Sequence, residues 1–457
     1  MPSAKTIAII GAGPVGLAAA AHALERGLEP RVLEAGPAAG QAVREWSHVR
    51  MFSPWRYNVD SASERLLQRM GWTGPDPERH PTGAELLERY LEPLATRTAL
   101  RDRITTNARV TSIARAGFDK VTSQGREHAP FEIRYRNGNG DGEGVVHAEA
   151  VIDASGTWSI PRPAGANGLE AIGEADHHDR IAYRMPDVLG SARPRYAGKT
   201  VAVLGAGHSA IGTIIDLKQL QHEHPDTRII WLLRSENPEK SFGGGANDQL
   251  AARGELGQAF ARIVRAGGIQ VETRFRLGRI SRSNDKRLKL AAGLEAPSRH
   301  VLADELIVAT GFRPDLSFLR ELRITLDPAL ECPPALAPLI DPNLHSCGTV
   351  RPHGAAELAQ PEPGFYIAGM KSYGRAPTFL MMTGYEQVRS IVAEIAGDRE
   401  AARRVELVLP ETGVCSGSTG GQQSIACCGG PPTVDASACC KADESAKAAG
   451  RAGCGCA

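Results

Sequence analysis

Cysteine is nearly missing from most of this chain. Of nine cysteines in 457 residues, only Cys332 and Cys347 precede residue 411. A disulfide-stapled secreted fold spreads cysteines through its core, so the pattern argues against that class. Net charge is missing too: 53 Lys and Arg stand against 52 Asp and Glu, a formal +1. No strong field favours nucleic acid or an anionic membrane as a partner. Long apolar runs are lacking, and none approaches the roughly 20 residues that cross a bilayer. No signal peptide is visible ahead of the first strand, Thr6 to Ile10, so the expected location is cytoplasmic. The remaining composition, 42% hydrophobic and 23% charged, is that of an ordinary soluble protein long enough for two or three domains.

Glycine, by contrast, is concentrated where it carries chemistry. The first cluster, Gly11-Ala12-Gly13-Pro14-Val15-Gly16, follows an apolar strand, opens an Ala-rich helix and leads to a second strand ending at Glu34. The second, Gly205-Ala206-Gly207-His208-Ser209-Ala210, follows Lys199–Leu204 and leads to a strand ending at Arg234. Such a turn needs one glycine for tightness, one for close approach of backbone to pyrophosphate, and one small residue where helix packs on strand; Ala210 satisfies the last role. The helix N-terminus adds N–H donors and a positive dipole end. A carboxylate at the strand end holds a ribose with free hydroxyls, and an arginine suits a 2′-phosphate. The pair therefore reads as FAD at Gly11, Gly13, Pro14, Gly16 and Glu34, and NADPH at Gly205, Gly207, His208, Ser209, Ala210 and Arg234. Ser235 is a second candidate donor to the 2′-phosphate.

The rest of the chain orders around these turns. Gly36 to about Pro81 reads as a loop rich in aromatics and prolines. Thr82 with Glu85 reads as a capping box for a helix over 82–94. Strands are expected at 110–114, 131–135, 150–156, 305–310 and 364–370, with a turn cluster at 137–144 and a last helix over 383–395. The expected fold class is α/β, with two Rossmann-like domains. The FAD domain covers 1–190 and 311–410, the NADPH domain is inserted at 191–310, and 411–457 forms a flexible cysteine-rich tail.

With Ala154-Ser155-Gly156 and Ala309-Thr310-Gly311-Phe312-Arg313-Pro314-Asp315, the two turns resemble the flavoproteins with two dinucleotide-binding domains. Within that group the chain is most similar to the flavin-containing monooxygenases, over about residues 5–400. Their Phe-x-Gly-x-x-x-His-x-x-x-aromatic fingerprint is matched by Gly173 and His177. Ala171 and Ile181 stand at its aromatic positions, and Tyr183 lies two residues further on. The resemblance implies further cofactor contacts at Val110, Gly156, Gly311, Gly369, Met370 and Thr383. It implies a flavin pocket that includes the loop 46–60 and the stretch 369–375, with Thr383-Gly384 opening the last helix toward the flavin. Its reaction would take NADPH, molecular oxygen and a small soft nucleophile. No residue is assigned as general acid or base. Dithiol-relay enzymes of this fold need a Cys-x-x-Cys or Cys-x-x-x-x-Cys pair at the flavin, and no core segment holds one.

The tail gathers Cys415, Cys427, Cys428, Cys439, Cys440, Cys454 and Cys456, without histidine. Closely spaced thiolates select soft acceptors such as Cu(I), Hg(II), Zn(II) or trivalent arsenic. Cys427, Cys428, Cys439, Cys440, Cys454 and Cys456 are the candidate ligands. Core and tail together resemble flavin monooxygenases linked to arsenic resistance. Two other readings stay open: a flavin-dependent reductase of metals, metalloids or thiols that uses the tail cysteines, and a non-catalytic metalloid-binding or redox-sensing flavoprotein.

Overall fold

A computed structural model describes residues 4–138, 142–243, 250–294, 299–343, 352–377 and 379–407. The candidate tail cysteines and Cys347 lie outside the described residues. The described chain divides into two compact units, one built from 4–159 and 313–407, the other from Ile160–Phe312. The second span is wider than the expected 191–310, because strand Ile181–Tyr183 pairs with Glu305–Val308.

Each unit is a three-layer stack around a five-stranded parallel sheet. In the first, the strand order is Phe365–Ile367, Ala150–Asp153, Thr6–Ile10, Glu29–Leu33, Ile104–Thr105. Side chains alternate across a strand. Ile7, Ile9, Val32 and Ile152 therefore join the helical layer. Ala8, Ile10, Leu33 and Val151 join Ile113, Phe131 and Ile133 of the antiparallel sheet Ala108–Arg115, Phe131–Asn137, Glu143–Ala148. The second unit repeats the scheme with the order Gln270–Glu272, Arg228–Leu232, Thr200–Leu204, Glu305–Val308, Ile181–Tyr183. Val201, Val203 and Trp231 face helices His208–Glu223 and Ala251–Arg265, and Ala202, Leu204 and Ile230 face a second antiparallel sheet over 277–303. Burial on both faces explains why these strands read as continuous apolar runs.

Several local expectations need correction. The stretch 36–81 is not loop throughout: it contains helices Gln41–Glu45 and Ser61–Gln68 and a single turn at Trp55–Tyr57. The helix expected over 82–94 begins with the Thr82–Glu85 capping box, then widens over Leu87–Leu91 before continuing as Glu92–Arg97. Pro93 has no N–H to donate to the carbonyl four residues back. That carbonyl, Arg89 O, accepts from the Trp72 indole at 2.7 Å instead. A strand, Glu143–Ala148, begins inside the expected turn cluster. The strand expected over 364–370 is only Phe365–Ile367, followed by a tight helical turn Gly369–Tyr373.

The first Rossmann helix, Pro14–Glu25, is almost wholly buried, and its last turn carries His22. His22 Nε2 lies 3.0 Å from Asp60 Oδ1, and both side chains are buried. Asp60 is also the N-cap of helix Ser61–Gln68, accepting from the Ser63 N–H at 2.8 Å. Burial pushes its carboxyl up, but the charge and hydrogen bond of His22 and the Ser63 donors outweigh this and hold it below its ordinary range. A carboxyl lowered on folding contributes stability that is present above its unfolded value of about 3.9 and is lost as pH falls through the folded value. Removing one partner of a buried pair costs about 3–5 kcal/mol. Asp60→Ala is therefore expected to lower the urea midpoint strongly at pH 7. The gap between variant and wild type should narrow as pH drops below about 4. A gap independent of pH would contradict the pairing.

Candidate functional site

The two glycine turns lie at the carboxyl ends of the two parallel sheets, where open α/β sheets bind ligands. In the first, Gly11 has a φ of +95°, and a Cβ there would stand 2.9 Å from the Ala154 carbonyl. A Cβ on Gly16 would stand 1.9 Å from the Gly11 carbonyl. Gly13 differs: its φ is −75°, and a Cβ there would meet nothing within 4 Å. Gly13 is the N-cap of the helix, with Pro14 in its first turn, and no side chain caps the first turn. The second turn repeats this division. A Cβ on Gly205 would stand 2.3 Å from the Ala309 carbonyl, while Gly207, N-cap of His208–Glu223, faces open space. His208 is exposed, Ser209 half-buried, and Ala210 fully buried against the strand. The residues at both turns thus fit a dinucleotide: a tight turn, a helix start without a side-chain cap, and an open position through which pyrophosphate can approach.

The strand ends carry opposite charges. Glu34 Oε2 accepts from the Ala12 N–H at 2.7 Å and Oε1 from the Gly36 N–H at 2.8 Å. The carboxylate is thereby fixed beside the first turn, and each oxygen retains a lone pair for a ribose hydroxyl. Val110 lies close in the chain, on the half-buried strand whose Ala108 N–H donates to the Glu34 carbonyl at 2.8 Å. At the second turn Arg234 is exposed, and its Nη1 donates to Ala166 O at 3.2 Å. The Ser235 hydroxyl donates to Asn237 O at 3.0 Å. Trp231, which the sequence did not single out, donates from its indole to Gly205 O at 2.8 Å and pins the turn from the core side.

Around the first turn the structure gathers Gly369, Gly384 and Val15. Cβ atoms on Gly369 and Gly384 would stand 3.3 and 2.6 Å from the Val15 Cγ2. The start of helix Met381–Ile395 is thereby packed beside the start of the first Rossmann helix. Thr383 does not open that helix. It is the third residue, buried, because Met381 and Met382 pack against the core. Met370 is half-buried in the turn Gly369–Tyr373. Gly156 (φ +71°) and, in the second unit, Gly311 (φ +96°) both follow strand ends and have open space at the Cβ position. Of the loop aromatics, Trp55 is fully buried and Trp46 half-buried.

Lys371 falls in the stretch 369–375 expected at the flavin, but the sequence did not indicate its partners. Its Nζ lies 2.5 Å from Asp153 Oδ2, 3.1 Å from Ser155 Oγ and 4.2 Å from the Phe318 ring centroid. Asp153 and Lys371 side chains are fully buried. Asp153 Oδ1 also accepts from the Ser155 N–H and hydroxyl. One buried ion pair thus fixes the strand-end turn 153–156 beside Gly11. Arg375, by contrast, is about one-third exposed and pairs with Glu331.

The fingerprint segment lies in the second unit, ahead of the edge strand Ile181–Tyr183, which stands two strands away from the central strand Thr200–Leu204 that leads into the glycine turn. Gly173 is required there, since a Cβ would stand 2.3 Å from Ile280 O. Glu174 is fully buried, accepting from the Ala164 and Ala171 N–H groups and from the Tyr183 hydroxyl at 2.6 Å. Ile181 fills core space, and Tyr183 supplies an aromatic contact to this segment from two residues beyond the fingerprint position. His177 is half-buried, and among the described residues neither ring nitrogen has a hydrogen-bond partner. The buried Cys332 is the thiol of the described core, and burial pushes it up to about 12. It is a neutral thiol near pH 7.

These features have a family. The pyridine nucleotide-disulphide oxidoreductase profile matches residues 8–334. The chain belongs to that family. It is also similar to a flavin-containing monooxygenase of Arabidopsis thaliana, 26% identical over 242 residues, which are 48% of this chain and 49% of the relative. The chain spans about half the length of the curated relatives it matches. Among solved structures, a bacillithiol disulfide reductase of Bacillus cereus matches 86% of this chain and 99% of its own at TM-score 0.64 and 19% identity. A cadaverine monooxygenase of Erwinia amylovora, solved with FAD, matches 92% and 100% at TM-score 0.62 and 13% identity. Those structural likenesses establish the fold, two α/β units each built on a parallel sheet.

The contrast between Gly13 and Gly16 is testable in this family member. Gly13→Ala is expected to leave the ligand-free protein as stable as wild type and to weaken FAD binding at least about tenfold, a loss of ~1.4 kcal/mol. Gly16→Ala should instead destabilise the ligand-free protein by about 1–3 kcal/mol through overpacking. Thermal melts and FAD titration separate the two effects.

Proposed function

We propose that the chain is an FAD-dependent, NADPH-consuming monooxygenase that oxygenates a soft nucleophile, with a trivalent arsenical as the substrate class. The observation that carries the choice of oxygenation over dithiol relay is the state of the core thiols. Before residue 411 the chain has only Cys332 and Cys347, and Cys332 is buried and protonated near neutral pH. A relay needs a thiolate as nucleophile. The likeness to a plant flavin-containing monooxygenase supports the same choice.

Its cofactors are FAD and NADPH. Bound FAD supplies two-electron transfer from NADPH and reaction with molecular oxygen. The chain's own groups bind and orient. The open face at Gly13 and the helix start receive the FAD pyrophosphate, and Glu34 accepts from its ribose. Gly207, His208 and Ser209 line the NADPH pyrophosphate, and Arg234 pairs with the 2′-phosphate. The N-terminus of Met381–Ile395 offers positive potential to the flavin ring. The Lys371–Asp153 pair holds the turn at Ser155 and Gly156. The tail thiolates Cys427, Cys428, Cys439, Cys440, Cys454 and Cys456 capture the arsenical by soft-acceptor chemistry.

The balance is simple. NADPH gives two electrons and the arsenic(III) lone pair gives two. One oxygen atom of O2 goes to arsenic, now arsenic(V), and the other leaves as water. The expected result is therefore one O2 consumed and one arsenic(V) product formed per NADPH in air, with no product when oxygen is removed. NADPH oxidation without oxygen, with a metal, metalloid or disulfide as the electron acceptor, would instead favour the tail-thiol reductase. Hydrogen peroxide release with no oxidised product would remove arsenic as substrate.

A further inference from the structure

We propose that Arg274 is a second ligand for the NADPH 2′-phosphate, held in reserve by an exposed pair with Glu236. The inference rests on the reading of the second unit as an NADPH site, and it adds the residue that sets the preference for NADPH over NADH. The obvious second donor beside Arg234 is Ser235, but its single hydroxyl proton is committed to Asn237 O, and the same oxygen accepts from the Asn237 N–H at 3.2 Å. The Ser235 turn is closed on itself. Another donor is brought there by pairing of the neighbouring strand.

Strand Gln270–Glu272 runs parallel to Arg228–Leu232, and the two chains stay together past their strand ends. Leu233 N–H donates to Glu272 O at 2.9 Å, Phe275 N–H to Leu233 O at 2.7 Å, and Arg274 N–H to Ser235 O at 3.0 Å. Phe275 is fully buried and anchors this crossing, while Arg274 is exposed with a φ of +52°. A non-glycine residue in the left-handed region is uncommon. Here the backbone bonds at 274 and 275 and the Phe275 anchor impose it. The outcome is that the Arg274 backbone sits directly against the residue following Arg234.

The Arg274 guanidinium pairs with Glu236, two residues beyond Arg234, and both side chains are about two-thirds exposed. An exposed pair of this kind contributes little. Arginine binds phosphate more strongly, through charge-assisted and often bidentate hydrogen bonds. A 2′-phosphate at Arg234 would therefore draw Arg274 from Glu236, whereas a nucleotide without that phosphate would leave the pair intact. Arg299 adds to the positive side of this edge, with Nη2 on Thr273 O and Nε 3.7 Å from Glu272.

The test is calorimetric titration of the FAD-loaded full chain with NADP+ and with NAD+, for wild type, Arg274→Ala, Arg274→Lys and Glu236→Gln. Wild type should prefer NADP+. Arg274→Ala should weaken NADP+ by about tenfold or more and leave NAD+ unchanged. Arg274→Lys should recover part of the loss, and Glu236→Gln should tighten NADP+ alone. A wild type that binds both nucleotides equally would overturn the NADPH reading and this inference with it. A wild type that prefers NADP+ together with an Arg274→Ala protein that keeps the full preference, or loses both nucleotides equally, would overturn the role of Arg274 only. Thermal melts of each variant without nucleotide verify that the fold is kept.

Discussion

No atom can occupy the space 1.9 Å from the Gly11 carbonyl where a Gly16 side chain would begin. That close approach lets helix Pro14–Glu25 lie on the sheet, and the helical layer of the first unit packs around this helix. Its alanines pack flat, its last turn ties through His22 to Asp60, and its first turn meets Gly369 and Gly384. The second unit obeys the same constraint with small differences. Ala210 replaces the third glycine because its methyl still fits, and Trp231 donates to the Gly205 carbonyl from below.

Buried charge is placed with the same economy. Lys371 and Asp153 meet at the sheet end beside Gly11. At the other end of strand Phe365–Ile367, Glu362 receives Arg115 and Arg126 with all three side chains buried. Breaking such pairs is costly, while forming them adds little net stability. Their contribution is to fix geometry. The Asp153 pair holds the turn that abuts the first nucleotide position. The Glu362 cluster joins the segments around 115, 126 and 362, distant in sequence, into one unit.

The two glycine turns, their strands and helices, the charge contrast between Glu34 and Arg234, and the Thr82 capping box were legible in the sequence. Their signals are local: spacing of a few residues fixes a turn, a cap or an amphipathic period. The short helices inside 36–81 were not legible, since Ser61–Gln68 starts at an aspartate whose partner lies on another helix. Lys371 fell within the stretch 369–375 expected at the flavin, but its ion pair was not legible because its partner, Asp153, is 218 positions away. Arg274 reaches Ser235 only through strand pairing, which no motif encodes. Tyr183 serves Glu174 from outside the fingerprint's register, so pattern matching alone could not place it.

The central claim is that one chain holds two different nucleotides at two similar turns and passes electrons between them. Anaerobic titration of the FAD-loaded protein, following the visible flavin band, tests it most directly. The account predicts one FAD per chain and complete bleaching by a single equivalent of NADPH, with NADH far less effective. A protein that retains no flavin at the first turn, or whose flavin is bleached equally well by NADH, would contradict it.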